Sequence, residues 1–224
     1  MQVRILPSLL AADFGNLEAG ARLAEAAGGD ALHIDVMDGV FAPNISLGPD
    51  VVAMARRAVA LPLSVHLMIL RPDRYVHTFV EAGAGELLIH IESECDVART
   101  LDRIRELGAR PGITLNPATP AETVFPVMAK VDEVLCMTVR PGHGGQAFMA
   151  EVLPKIRAVR RHADSLGRPD LNVMVDGGIN AITAAQCAAS GADTFVAGTF
   201  LYRAADMRAT VSRLRETAQA ALNV

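Results

Sequence analysis

Leu32-His33-Ile34-Asp35-Val36-Met37-Asp38-Gly39 reads as a strand running into a turn, and its two faces differ in kind. Side chains alternate along a strand, so Leu32, Ile34 and Val36 point one way while His33, Asp35 and Met37 point the other. The pattern returns at Leu63-Ser64-Val65-His66-Leu67-Met68, where Val65 and Leu67 lie opposite Ser64, His66 and Met68. A third instance, Val173-Met174-Val175-Asp176-Gly177-Gly178, offsets Asp176 from two valines in the same manner. Two imidazoles and two carboxylates thus sit on separate strands, each close to a turn, where they could converge on a metal ion.

Outward from these segments, short apolar runs alternate with helix-period stretches, the signature of strands joined by crossover helices into a parallel sheet. Strands are predicted at Val3 to Ser8, Ala31 to Met37, Leu63 to Met68, Glu86 to Ile91, Gly112 to Asn116, Glu133 to Val139, Asn172 to Asp176 and Thr194 to Gly198. Helices are predicted after each, at Asn16 to Ala27, Pro49 to Ala60, Pro72 to Ala82, Asp96 to Leu107, Pro120 to Lys130, Met149 to Leu166, Ala181 to Ser190 and Ala204 to Ala221. Proline or capping residues open some of them, as at Thr119-Pro120, and glycines such as Gly83, Gly108 and Gly191 close others. Eight units within 224 residues predict a closed (β/α)8 barrel forming one domain over residues 1–224. An open doubly wound sheet is the competing arrangement. It is weakened by Pro7-Ser8-Leu9-Leu10, which stands after the first strand in place of a dinucleotide-binding glycine fingerprint.

Composition narrows the function. The net charge is −4 with both signs interspersed, so no basic face suggests nucleic acid, whereas a small anionic metabolite is compatible. The start of the chain lacks a basic, apolar, small-residue leader, and no run reaches the ~20 apolar residues a membrane span needs. A soluble, cytoplasmic protein is expected. Cys95, Cys136 and Cys187 are odd in number and far apart, and they read as reduced, buried thiols rather than a disulfide framework or zinc cluster.

In a barrel the C-terminal ends of the strands face a common mouth, where catalysis sits. His33, Asp35, His66 and Asp176 lie at or near such ends. One of these histidines alone would read as a paired core group; four groups of matching parity favour a ligand set. Nitrogen and oxygen donors without thiolate suit one divalent ion, zinc, iron, manganese or cobalt, with positions left open for substrate oxygens. No organic cofactor is implied. Asp35 and Asp176 come from strands two and seven, a placement that suits proton removal on one side of a carbon and return on the other. A metal bound to the neighbouring carbonyl and hydroxyl would stabilise the enediolate between the two transfers.

Glycine-rich turns follow three late strands: Pro141-Gly142-His143-Gly144-Gly145, Asp176-Gly177-Gly178 and Ala197-Gly198-Thr199. Main-chain N–H groups approach an anion closely at glycine, and helix starts beyond strands seven and eight favour negative charge, so a phosphate is expected there. The longer Pro141 to Gly145 segment reads as a mobile lid. Met37, Met68 and Met137 offer the mouth an apolar lining. Asp13, Asp38 and Glu92-Ser93-Glu94 read as turn, cap and solvated residues, and Arg157, Arg160 and Arg161 as an exposed helical face. A metal-free decarboxylase or isomerase would be expected to use a lysine near the strand ends, but Lys130 and Lys155 both fall in helical segments. A non-catalytic sugar-phosphate sensor would keep the pocket without turnover.

Taken in order, Pro7-Ser8-Leu9-Leu10-Ala11-Ala12-Asp13-Phe14, His33 to Gly39, Pro43-Asn44, His66-Leu67-Met68, Leu115 to Pro120, Met137-Thr138-Val139, Pro141-Gly142 with Gly144-Gly145-Gln146, Val175 to Gly178 and Val196 to Thr199 resemble the ribulose-phosphate 3-epimerase family. The likeness runs from Pro7 to about Tyr202. It implies a TIM barrel that interconverts D-ribulose 5-phosphate and D-xylulose 5-phosphate, an isomerase of the pentose phosphate pathway. By that resemblance the metal ligands fall on His33, Asp35, His66 and Asp176, and the acid/base pair on Asp35 and Asp176. Ser8 and His66 fall on substrate-contacting positions, and Gly142, His143, Gly144, Gly145, Gly177, Gly178, Gly198 and Thr199 span or lie on the phosphate positions. Val40, Arg140, His143 and Met174 depart from the usual pattern. Arg140 and His143 add charge and a donor beside the phosphate, which keeps a related substrate such as D-allulose 6-phosphate open as the alternative. A homo-oligomer is expected from the general tendency to symmetric assembly.

Overall fold

The computed structural model describes residues 2–222. All eight expected strands form: β1 (Arg4–Pro7), β2 (Leu32–Met37), β3 (Leu63–Met68), β4 (Glu86–His90), β5 (Arg110–Leu115), β6 (Glu133–Met137), β7 (Asn172–Asp176) and β8 (Thr194–Ala197). Every ladder between them is parallel, in the order β1-β8-β7-β6-β5-β4-β3-β2. The two ends of that order meet, which rolls the sheet into a barrel. An isolated parallel bridge joins Ser8 to His33, Asp30 N donates to Ile5 O at 2.9 Å, and Ile5 N donates to the Asp30 carboxylate at 2.7 Å. This seam is thin for a local reason. Ser8 N–H turns to Ala197 O of β8 at 3.1 Å, so the adjacent Pro7 faces β2, and proline has no N–H to give.

The alternation of the opening octapeptide resolves into two cores. Leu32, Ile34 and Val36 join Val65, Leu67, Val173 and Val175 in the large cluster between strands and helices, whereas Leu6, Leu88, Leu135, Met174 and Val196 fill the barrel interior. A buried aliphatic of this size contributes roughly 1.5–3 kcal/mol. The larger outer cluster therefore carries most of the hydrophobic stabilisation, and the interior can hold polar groups at both ends.

The helices are α1 (Leu17–Ala26), α2 (Pro49–Ala58), α3 (Val76–Glu81), α4 (Val97–Glu106), α5 (Leu153–Ser165), α6 (Ala181–Ala188), α7 (Thr199–Tyr202) and α8 (Met207–Leu222). Asn16, Asp96 and Asn180 cap α1, α4 and α6 through side-chain oxygens that accept from first-turn N–H groups. The expected helix at 120–130 is replaced by two 3-10 segments, Ala121–Thr123 and Phe125–Lys130. Pro126 is the cause, since within an α-helix it would remove a hydrogen bond and clash with the preceding turn. The last helix starts later than expected because Asp206 accepts from Ala209 N at 3.0 Å as its cap, and the separate short α7 follows β8 directly.

Two surface expectations are also corrected. Arg160 of α5 is buried rather than part of an exposed face, ion-paired at 2.5 Å to Asp193, the residue before β8. Cys136 and Cys187 are buried, but Cys95 is partly exposed. Among the described residues no helix is long and apolar enough to cross a membrane.

At the N-terminal floor of the barrel, Arg4 Nη2 and Arg110 Nη1 both reach Glu86 Oε1, at 2.7 and 3.0 Å, and Arg4 Nη1 lies 3.9 Å from Glu133. In the amide orientation that satisfies both groups, Asn172 accepts from Arg4 Nη1 at 3.1 Å and from Arg110 Nη2 at 3.2 Å. Burial, reinforced by the Glu86 charge, pushes the Glu133 carboxyl up to about 8.

Candidate active site and metal centre

Strand register builds the other end. In the β2/β3 ladder His33 pairs with Ser64 and Asp35 with His66, and in the β6/β7 ladder Met137 pairs with Asp176. Because β2 and β7 stand well apart around the barrel, their inward side chains meet across its mouth. His33, Asp35, His66 and Asp176 each bring one nitrogen or oxygen within 4.8 Å of all the others.

The donor atoms crowd one another and are only partly satisfied. Asp35 Oδ1 lies 3.3 Å from His33 Nε2 and 3.1 Å from His66 Nδ1. Fully buried, His33 Nε2 nevertheless has no hydrogen-bond partner, and its other nitrogen lies 3.3 Å from Ser64 Oγ. An orphaned ring nitrogen beside a carboxylate oxygen is the arrangement a cation would satisfy. Ligands about 2.0–2.1 Å from a tetrahedral ion stand roughly 3.3 Å apart, so these separations fit a divalent metal. Asp35's second oxygen, Oδ2, accepts from Ser8 Oγ at 2.7 Å, which fixes the carboxylate plane.

The electrostatics separate the two acids. Burial works against the Asp35 carboxylate, but His33 and His66 outweigh it and hold the group well below the ordinary range. Burial, with the Asp35 charge added, raises Asp176 to about 7. Burial lowers His66 to about 4, whereas at His33 the Asp35 carboxylate overcomes burial and lifts the group above its usual value.

Above these residues opens a cavity of about 550 Å³. Ser8, Asp35, Met37, Met68, Met137 and Asp176 line its depth, and Gly142, His143, Gly144, Gly145, Gly177, Gly178, Gly198 and Thr199 its rim. Every substrate-contacting residue expected from the sequence lines the cavity except His66, which lies behind the carboxylates. The two glycines after β7 are required by space, Gly177 against the Val139 side chain and Gly178 against Phe148. Gly178 has φ +65°, and a Cβ there would meet the Phe148 backbone at 2.8 Å. Asn44 Nδ2 donates to Gly142 O at 2.8 Å, anchoring the β6 loop to the β2 loop, and Gln146 Nε2 donates to Arg140 O and His143 O, both at 2.8 Å, within the β6 loop itself. Arg140, named in the sequence as a departure, and Arg203, not singled out there, add two cations to the lining.

Two further groups escaped the sequence reading. His90, at the end of β4, places Nε2 2.9 Å from His66 Nε2, and its Nδ1 lies 3.0 Å from Glu92 Oε2. Glu92 is not a solvated loop residue: its Oε1 accepts from Asn116 N at 2.8 Å and from Thr119 Oγ1. Strand parity was the available signal, since His90 shares the inward face of β4 with Glu86 and Leu88.

A family profile described as the ribulose-phosphate 3 epimerase family matches residues 4–202. The chain is 45% identical over 213 residues to a ribulose-phosphate 3-epimerase of Bacillus subtilis, covering 95% of this chain and 98% of that one. It is 41% identical over 215 residues to one from Escherichia coli, covering 96% and 95%. Among solved structures, 3-hexulose-6-phosphate synthase from Salmonella typhimurium superposes with TM-score 0.69 at 14% identity over 97% of this chain and 99% of that one. Thiamine phosphate pyrophosphorylase from Pyrococcus furiosus gives 0.65 at 14% identity over 98% and 97%. At such identities these two establish the barrel alone.

Proposed function

The chain belongs to the ribulose-phosphate 3-epimerase family, and from that premise we propose that it interconverts D-ribulose 5-phosphate and D-xylulose 5-phosphate with Asp35 and Asp176 as the acid/base pair. Residues 1–224 act as one catalytic domain in this reading. The observation that carries it is the approach of carboxylates from β2 and β7 to within 4.8 Å under one cavity. Epimerisation at carbon three needs a proton taken from one face of that carbon and another delivered to the opposite face. Asp35, ionised and held by Ser8, takes the proton in one direction. Asp176, whose carboxyl burial and the Asp35 charge raise to about 7 before any cation is added, is the more readily protonated of the two and returns one; the reverse reaction exchanges their roles. Environments that split two acids in this way mark such assignments.

His33, Asp35, His66 and Asp176 would hold one divalent ion, zinc, ferrous iron, manganese or cobalt by donor type. When bound, it supplies positive charge against the negative charge that develops on the substrate oxygens. Met37, Met68 and Met137 keep water from the reacting carbon. The glycine N–H groups of the β7 and β8 loops, with Thr199, receive the phosphate, and Gly142 to Gly145 close over it.

Asp35→Asn and Asp176→Asn are each expected to lower kcat by about 10²–10⁴-fold and to stop heavy-water exchange of the carbon-three proton only from the epimer that the missing carboxylate faces. Turnover near wild type in both variants would end the two-base scheme. Arg140 and His143 at the cavity rim favour one second reading, D-allulose 6-phosphate as substrate. A larger kcat/KM for the hexulose phosphate than for ribulose 5-phosphate would select it.

A further inference from the structure

We propose that Glu92 and His90 are positioning residues, a hydrogen-bond relay that fixes the tautomer of His66 and so holds its Nδ1 lone pair toward the ion site. The proposal rests on the reading above that His66 is a metal ligand, and concerns two residues outside the ligand set. Four side chains form an unbroken line from the mouth to the β5 loop. Asp35 Oδ1 lies 3.1 Å from His66 Nδ1, His66 Nε2 lies 2.9 Å from His90 Nε2, and His90 Nδ1 lies 3.0 Å from Glu92 Oε2. The two imidazoles are nearly coplanar, tilted 21° with centroids 5.0 Å apart. Rings stacked face to face would have their nitrogens out of line, whereas this is the edge-to-edge geometry of an in-plane N–H···N bond. Phe41 packs on His90 with centroids 4.5 Å apart and restrains the ring.

Hydrogen placement follows from the network. Glu92 is acceptor-only when ionised, and two donors besides His90, Asn116 N and Thr119 Oγ1, already converge on it. Its carboxyl is held below the ordinary range against burial, by the His90 bond first and then by those from Thr119 and Asn116. The nitrogen of His90 that faces Glu92 must therefore carry the proton. That leaves His90 Nε2 with a lone pair, which requires the proton of His66 on Nε2 and frees His66 Nδ1 as a donor to a cation. The opposite polarity would set a lone pair of His90 against a carboxylate oxygen at 3.0 Å with no ion site beside them, whereas the His66 Nδ1 lone pair and Asp35 Oδ1, 3.1 Å apart, both belong to the candidate ligand set, where a shared cation would relieve them. His33 obeys the same logic more simply, with Nδ1 facing Ser64 Oγ at 3.3 Å and Nε2 free. Each metal-facing imidazole is thus backed by an oriented partner, and at His66 the orientation originates in a carboxylate two side chains away. Outer partners of this kind fix ring orientation and raise ligand basicity.

The direct test reads protons without any substitution. In zinc-loaded, ¹⁵N-labelled protein, long-range ¹H–¹⁵N correlations of the imidazole rings should show His66 protonated on Nε2 and His90 on Nδ1. His90 protonated on Nε2, or His66 bound to zinc through Nε2, overturns the relay. In parallel, Glu92→Gln should weaken zinc binding, measured by chelator competition, by roughly 10–100-fold, and shift the visible bands of the cobalt-substituted protein. His90→Gln, which keeps an acceptor for His66, should bind zinc more tightly than His90→Leu. Unchanged zinc affinity and cobalt spectrum in Glu92→Gln, or equal losses in the two His90 variants, refute the relay while leaving the metal reading intact. Failure of the wild-type protein to bind one equivalent of any of these metals would take down both.

Discussion

The two ends of the barrel interior carry charged residues at the same strand parity, yet they are wired in opposite ways. At the floor, Arg4 and Arg110 share Glu86 Oε1 and Asn172 caps both guanidiniums, so groups of opposite charge face each other there even though Glu86 Oε2 and both Glu133 oxygens lack a hydrogen-bond partner. At the mouth, Asp35, Asp176 and two imidazoles bring electron-rich atoms together, and His33 Nε2 has no hydrogen-bond partner in the protein. A set of like groups held by buried strands is unfavourable alone and becomes favourable only with something positive between them. The floor is built for stability and the mouth for a ligand, the division expected of the two faces of such a barrel.

Crossed substitutions are the strongest way to break that division. Asp35→Asn should reduce turnover by about 10²–10⁴-fold while leaving the urea midpoint close to wild type. Arg4→Met should do the reverse. It leaves the buried Glu86 carboxylate with Arg110 alone as its cation, at a cost of up to about 3 kcal/mol of stability, with kcat of the folded protein unchanged. If Arg4→Met altered kcat as strongly as Asp35→Asn, the two ends would not be separable.

A graded effect tests the floor through pH. Glu133 ordinarily titrates near 4.5 and is pushed up to about 8 in the folded barrel. The folded state therefore holds a proton that the unfolded chain releases, so its contribution to stability is present below about 4.5 and declines as pH rises toward 8. Glu133→Gln removes the group, and its stability should gain on wild type by on the order of 1 kcal/mol per pH unit across that window. Parallel stability curves from pH 5 to 8 would show that Glu133 is not held protonated. The smallest effect lies at the cavity rim. Arg140→Gln should raise KM for the sugar phosphate by no more than about fivefold, the size of an exposed ion pair, and the difference should shrink as salt is added.

The mouth was legible in the sequence because parity and position agree there. His33, Asp35 and His66 share the non-aliphatic face of their strands, Asp176 opposes two valines, and each lies near a turn. The eight-unit rhythm was legible for the same reason, with apolar runs and helix-period segments alternating to the end. What stayed hidden depends on contacts distant in sequence. Glu92 in Glu92-Ser93-Glu94 looks solvated until Asn116 and Thr119 of the next unit are folded over it. Arg160 sits between two other arginines at helical spacing, and only Asp193, just before β8, shows that it points inward. The missing fifth helix was locally readable, since Pro126 lies in the middle of the stretch, but the apolar spacing around it masked the break.

The thin seam beside Pro7 has a consequence for the order in which the molecule comes into being. The continuous ladder of β1 is with β8, its partner nearly two hundred positions away along the chain. During synthesis from the N-terminus, the first strand can make no lasting pairing until the last has emerged, and long-range pairing of this kind is slow. Ser8, which steadies the Asp35 carboxylate, rides on the end of that first strand. The catalytic cup is therefore sealed by the final stitch: a ribosome-bound fragment lacking β8 would carry most of the hydrophobic shell and none of the finished chemistry.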